Sequence, residues 1–309
     1  NMLAWYGHAE PDVVAEYAAA NNVRFVPKYY AGGDNMLALI AQSPPGTYDI
    51  ILSDAEFVQQ LNLAGYIEPL EASDYPLDDM LHEDFKKFPG HWADGKLYSM
   101  MVRGGHLGVS YNKNSITEEE AQSYSCFWKP ELEGKVGHFD WHLPNLGMMS
   151  LYNGNGGSLW DLDDAKWDAV RDTTLSLRKQ AGGFFDYGGS FNGLKNGEMQ
   201  AMCGIGDWIT APLEKDGAPV ASTIPKEGGI QFTESYSIGK DSPKADLAKN
   251  FIQYMLSPQG QVKSAQMAAY PGFCVTKGGR AALIKADPAE AKRSHQMSGM
   301  ANDPIALID

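Results

Sequence analysis

Cysteine is scarce. Cys126, Cys203 and Cys274 lie far apart with no CxxC pair, so neither a disulfide framework nor a thiolate-rich zinc site organises the chain. At most one disulfide can form, and buried free thiols are the simplest state. No apolar run approaches the roughly 20 residues of a membrane-spanning helix. Positive charge is under-represented: 25 Lys and Arg face 39 Asp and Glu, a formal net charge of −14, which argues against nucleic acid or an anionic membrane surface as a partner. Catalytic signatures are absent too. There is no GxSxG, HExxH or GxxxxGK[ST], and the nearest glycine run, Gly154-Asn155-Gly156-Gly157, lacks the last glycine of GxGxxG. Of the seven histidines only His138 and His142 are four apart. A strand running into a loop, as this segment reads, would not align them as a helix would, so no metal site is expected.

What is present describes a globular chain. With 309 residues and 43% hydrophobic residues, it has room for about two domains of roughly 150 residues each. It opens directly in an apolar run, as a secreted protein does once its signal peptide is removed and as a trimmed chain does equally. Met2 to Tyr6 reads as a strand, Pro11 to Ala20 as a helix with Glu10 and Asp12 near its start, and Val23 to Tyr29 as a second strand. Asp34 to Ala41 follows as a helix closed by Pro44-Pro45, then Tyr48 to Leu52 as a strand buried on both faces. This alternation predicts a parallel sheet with right-handed crossovers. A second α/β unit follows, with a strand from Gly134 to Asp140, an amphipathic helix from Leu162 to Gln180, and strand-like Gly197 to Cys203 and Ala218 to Ile224 around a helix from Trp208 to Lys215. The helix Asp246 to Leu256 places Leu247, Phe251 and Met255 along one face.

Several landmarks recur together: Tyr48-Asp49-Ile50-Ile51-Leu52-Ser53, Leu63-Ala64-Gly65-Tyr66-Ile67-Glu68-Pro69-Leu70, Gly95-Lys96-Leu97-Tyr98-Ser99, Gly108-Val109-Ser110-Tyr111-Asn112, Pro225-Lys226-Glu227-Gly228-Gly229 and Leu256-Ser257-Pro258-Gln259-Gly260-Gln261. In this order the chain resembles the extracellular solute-binding proteins of ABC importers, most closely the spermidine/putrescine-binding branch. The resemblance implies a type II periplasmic-binding-protein fold: α/β, two lobes, each a mixed sheet flanked by helices, joined by crossover strands. Lobe 1 would comprise residues 1–107 plus about 239–309, with C-terminal helices partly packing on lobe 2. Lobe 2 would comprise 108–238, with the ligand cleft between the lobes. It further implies carriage without catalysis or a cofactor, in which a monomer captures a small amine-containing solute by lobe closure and delivers it to the permease subunits. The solute would be a polyamine such as putrescine or spermidine, or a zwitterionic amino-acid or opine-type compound. Ferric-ion or other anion-assisted binding on the same fold is the alternative, although Tyr29-Tyr30 is the only adjacent tyrosine pair. Hydrolysis by a carboxylate pair ranks behind it.

An organic ammonium is held by carboxylates and by aromatic faces. Trp5 and Tyr6 end the first strand, and Asp54 and Glu56 occupy the turn after the buried strand, where ligands of open α/β sheets sit. In the second lobe the resemblance points to Asp140, with Trp141 or His142 as a wall and Asn145 close by, and to Asp207 and Trp208 in a turn before a helix. On the return crossover Phe232 and Glu234 match the family's aromatic-then-acid spacing. Glu234 is the foremost single candidate, followed by Tyr236 and by Tyr270 in a Tyr-Pro turn. Arg103, on the outgoing crossover, would repel a pure polycation. It reads either as a bidentate partner for a ligand carboxylate or as a structural salt bridge to Glu56 or Glu234.

Overall fold

The computed structural model describes residues 1–297 and the backbone of 305–307. Contacts divide the described residues into two compact units, one of residues 1–104 and 233–297, the other of residues 105–232 with the strand 305–307. The chain passes between them at Gly104-Gly105 and again at Phe232-Thr233, earlier at both places than the 107/108 and 238/239 boundaries expected from the resemblance.

The first unit begins with β1 (Met2–Ala4), α1 (Pro11–Asn21), β2 (Pro27–Tyr29), α2 (Gly33–Ala41) and β3 (Ile50–Asp54). The three strands are parallel in the order β3-β1-β2, with Leu3 opposite both Lys28 and Ile51. Pro11 suits the first turn of α1, where no N–H is needed, and Asn22 stops the helix in the left-handed region at φ 52°. β3 is buried along its whole length, as a strand covered on both faces must be. β2 starts only at Pro27, whose missing N–H an edge strand tolerates. Leu3, Met36, Ile51, Val58 and Leu61 form the core here. Then α3 (Val58–Leu63), α4 (Glu83–Lys86) and the hairpin of β4 (Trp92–Ala93) with β5 (Lys96–Leu97) lead to β6 (Met100–Leu107), every residue of which is buried.

The second unit contains β7 (Val109–Asn112), β8 (Val136–Phe139), α5 (His142–Tyr152), α6 (Asp164–Ser176), β9 (Ala181–Phe185), α7 (Tyr187–Lys195), β10 (Ala201–Cys203), α8 (Asp207–Lys215) and β11 (Val220–Thr223). Its sheet has the order β11-β7-β10-β8-β9; β8 is parallel to β9 and β10, whereas β7 is antiparallel to β10 and β11. Two readings of the sequence are corrected here. The stretch after Asp140 is a helix, not a loop, because Pro144 lies within the first turn of α5, where proline does no harm. The helix expected to run to Gln180 instead ends in a short turn, Leu177–Lys179, before β9.

Strand β12 (Gly229–Ile238) returns the chain to the first unit, where Glu234 to Ile238 pair antiparallel with Asp54 to Ile50 and make that sheet mixed. Gly229 to Gln231 pair in parallel with β13 (Ile305–Leu307). Helices α9 (Ala245–Leu256), α10 (Pro258–Ala265), α11 (Lys277–Ala286) and α12 (Pro288–Arg293) follow. The buried stripe of α9 is Ala248, Phe251, Ile252 and Met255, while Leu247, expected on the same face, is 45% exposed. The three cysteines are buried free thiols. Among the described residues no helix is long and apolar enough to cross a membrane.

Candidate functional site

In the first unit the connection leaving β1 runs to β2 on one side, while the chain leaving β3, on the other side of β1, runs on to β6 beside β12, so the connections from these two carboxyl ends diverge. Such a switch point opens a crevice for ligands. Three side chains meet there. Trp5 follows β1, Tyr30 follows β2, and Asp54 ends β3. The Trp5 indole N–H donates to Asp54 Oδ1 at 3.1 Å, and its ring lies 4.9 Å from that of Tyr30. Tyr30 in turn donates its hydroxyl to the Leu52 carbonyl at 2.9 Å. Burial pushes the Tyr30 hydroxyl well above its ordinary pKa, helped by the charges of Asp54 and Glu234, so it remains a neutral donor. Tyr6 is half exposed, edge-on to Tyr29 at 5.3 Å, and Glu56 is partly exposed in the turn beyond Asp54. Tyr30 was noticed in the sequence only as half of the Tyr29-Tyr30 pair and not as a residue of this site; its place directly after a strand was the available signal.

One step across the ladder from Asp54 stands Glu234, and around it lies a buried polar cluster. Arg103 is wholly buried. Its Nη1 is 3.4 Å from Glu234 Oε2, its Nη2 donates to the Tyr270 carbonyl at 2.6 Å, and its guanidinium carbon lies 4.6 Å from the centre of the Tyr270 ring. Tyr270 donates its hydroxyl to Glu234 Oε1 at 3.2 Å. His8 Nε2 lies 3.3 Å from Glu234 Oε2, and His8 Nδ1 lies 2.9 Å from the Tyr236 hydroxyl. Burial holds His8 below the ordinary imidazole range against the pull of Glu234. A neutral ring protonated at Nε2 satisfies both contacts, facing the carboxylate and accepting from Tyr236. Burial alone would raise the Glu234 carboxyl, but attraction to His8 once that ring is protonated, the charge of Arg103 and hydrogen bonds from His8 and Tyr270 leave it below its usual value. Arg103 thus meets Glu234, one of the two carboxylates considered for it. His8 went unnoticed in the sequence because nothing local marks it.

The second unit has its own switch point at the end of β8. Asp140 is exposed there, and Trp141 precedes α5 half-buried. The Asn145 amide donates to the Phe139 and Trp141 carbonyls, both at 2.7 Å, while its Oδ1 lies 3.0 Å from His138 Nδ1. Asn145 therefore braces the turn. His142 is exposed. Asp207 sits half-buried in the first turn of α8, and the buried Trp208 ring meets Phe139 at 5.7 Å and stacks on Tyr187 at 6.1 Å. Tyr187 was not foreseen, since the glycines of α7 disguise it as a loop. Phe232 packs against the outgoing strand so closely that a Cβ on Gly105 would lie 2.4 Å from its ring. The fourteen residues expected at a site thus divide: Trp5, Tyr6, Asp54, Glu56, Arg103, Glu234, Tyr236 and Tyr270 fall in the first unit, the remaining six in the second. No group of three His, Cys, Asp or Glu among the described residues is arranged to hold a metal ion.

Comparison with known proteins adds the family. The profile of the bacterial extracellular solute-binding proteins matches residues 12–292. A spermidine/putrescine-binding periplasmic protein of Haemophilus influenzae is 23% identical over 273 residues, covering 87% of this chain and 74% of its own length. Among solved structures, a putative spermidine/putrescine ABC transporter protein of Listeria monocytogenes has a TM-score of 0.81 at 19% identity, covering 100% of this chain and 92% of that one. The PBP MotA of A. tumefaciens B6, in complex with glucopine, gives 0.78 at 17% identity over 100% and 93%. With the match spanning nearly the whole sequence and the periplasmic-binding-protein fold shared, the chain belongs to the bacterial extracellular solute-binding proteins, the solute-capturing components of ABC importers rather than enzymes.

Proposed function

We propose that the chain captures a small amine-bearing solute in the periplasm, as a monomer, and delivers it to the permease of its importer. The solute class is a polyamine, or an amine that also carries a carboxylate. The observation that carries this reading is the group of Trp5, Tyr30 and Asp54 at the carboxyl ends of three adjacent parallel strands. A carboxylate compensates an ammonium as it leaves water, and each desolvated aromatic face adds about 0.5 to 2 kcal/mol. Asp54 carries the reading by its place beside two aromatic rings at the carboxyl ends of the strands, whereas Glu234 faces Arg103, His8 and the Tyr270 hydroxyl. The relatives named for spermidine and putrescine, and the neighbour holding glucopine, support the two ends of the range.

Isothermal titration calorimetry against putrescine, spermidine, γ-aminobutyrate and glucopine tests the class. Asp54→Asn should weaken the ligand that binds by about 2 to 5 kcal/mol, the effect of truncating one partner of a buried charge pair. Wild-type affinity in that variant would remove Asp54 from the site, and binding of ferric ion or a sugar alone would overturn the amine reading.

A further inference from the structure

We infer that Arg103 is a resident cation, occupying at Glu234 a site that an ammonium or guanidinium group of a solute would otherwise take. A site for an organic cation needs a carboxylate, an aromatic face, neutral acceptors and exclusion of water. All are present around Glu234. The carboxylate is 2% exposed, the Tyr270 ring lies under the cation, the Tyr270 carbonyl accepts from it, and the Tyr270 hydroxyl braces the other carboxylate oxygen. The turn is also shaped for the occupant: a Cβ on Gly272 would lie 2.4 Å from Arg103 Nη2. The cation filling this site comes from the chain itself, delivered by the buried strand β6.

The consequence concerns specificity, and it rests on the reading that the solute carries an amine. Asp54 and Glu234 are cross-strand partners, so an empty Glu234 would offer a diamine a second carboxylate beside Asp54. With Arg103 in place, a second ammonium at Glu234 would face a guanidinium at close range, and like charges so placed are strongly disfavoured. The chain therefore favours a solute with one ammonium, whose other end is neutral or anionic, over a diamine.

Arg103→Ala vacates the site. In thermal unfolding at constant ionic strength, methylguanidinium should raise the Tm of Arg103→Ala in a saturable way while leaving the wild type and Arg103→Ala/Glu234→Gln unmoved. The same response in all three proteins, or none in Arg103→Ala, would overturn the inference. Should Arg103→Ala not fold unaided, refolding from urea decides: recovery with methylguanidinium but not with potassium supports a resident cation, and equal recovery, or none, refutes it. Calorimetry then reads specificity. The preference for γ-aminobutyrate over putrescine should fall about tenfold in Arg103→Ala and return when methylguanidinium is added. An unchanged preference sinks the specificity role. If no amine binds any of the proteins, the functional reading fails, whereas the methylguanidinium response still decides whether Arg103 is a resident cation.

Discussion

Burial keeps the His8 imidazole below its ordinary pKa although the Glu234 carboxylate beside it favours the protonated ring. His91 is similar, buried with Nε2 3.1 Å from the Ser235 hydroxyl, and burial lowers its pKa to about 3. Both rings take up protons more readily in the unfolded chain, where the ordinary value is about 6.5. Their contribution to stability is therefore complete above that pH and declines as the pH falls toward their folded values, for His91 by about 1.4 kcal/mol per pH unit. The lowered Glu234 carboxyl adds a further loss only in the more acidic range below its usual value. Urea unfolding between pH 7 and pH 4 should show this slope, and His91→Gln should remove one ring's share of it; an unaltered slope would mean that His91 titrates in the folded chain. At this scale the sequence was half legible. Arg103 stood out by its place on the outgoing crossover, and Glu234 by the aromatic-then-acid spacing that the resemblance supplied. His8 did not, because its partner Tyr236 is 228 positions away and only the closed ladder of β3 and β12 brings β12 to that end of the sheet.

The elements were legible where hydrophobic period and punctuation agreed, as in α1, β3 and α9, and those strands and turns led to the ends where Trp5 and Asp54 lie. They were obscured where glycine and proline served a purpose other than breaking a helix. Pro144 occupies the first turn of α5, and α7 keeps its glycines because Asp186 caps it, accepting from Gly189 N at 2.7 Å. Glycine also marks the place in the second unit where two backbones nearly touch. Leu107 and Gly206 form an isolated bridge, and a Cβ on Gly206 would fall 1.8 Å from the His106 carbonyl oxygen. A backbone oxygen cannot swing aside as a side chain does. Gly206→Ala is therefore expected to destabilise the second unit by about 1 to 3 kcal/mol through overpacking. Native-state hydrogen exchange should show faster opening in β7, β8 and β10 while β1 and β3 keep their protection; equal loss in both units would place the strain elsewhere.

For the molecule as a whole, composition gave room for two domains, and only the ordered landmarks indicated that one of them is built from both ends of the chain. No periodicity reports such a discontinuity, since it depends on where β12 returns rather than on any local pattern. The net charge of −14 acts at this scale too, because a field summed over many acids draws a cation toward the protein before any contact forms. That field is screened by salt: the Debye length shrinks from about 30 Å at 0.01 M to about 8 Å at 0.15 M. A solute of net charge +2 should therefore associate more slowly as salt is added, whereas a zwitterion feels the field only weakly. The seven tryptophans, with Trp5 at the candidate site, provide a stopped-flow fluorescence signal. Association of putrescine is expected to slow markedly between these two ionic strengths, and that of γ-aminobutyrate to change little. Equal insensitivity of both rates would show that the overall charge does not guide capture, leaving recognition to the few acids beside β3 and β12.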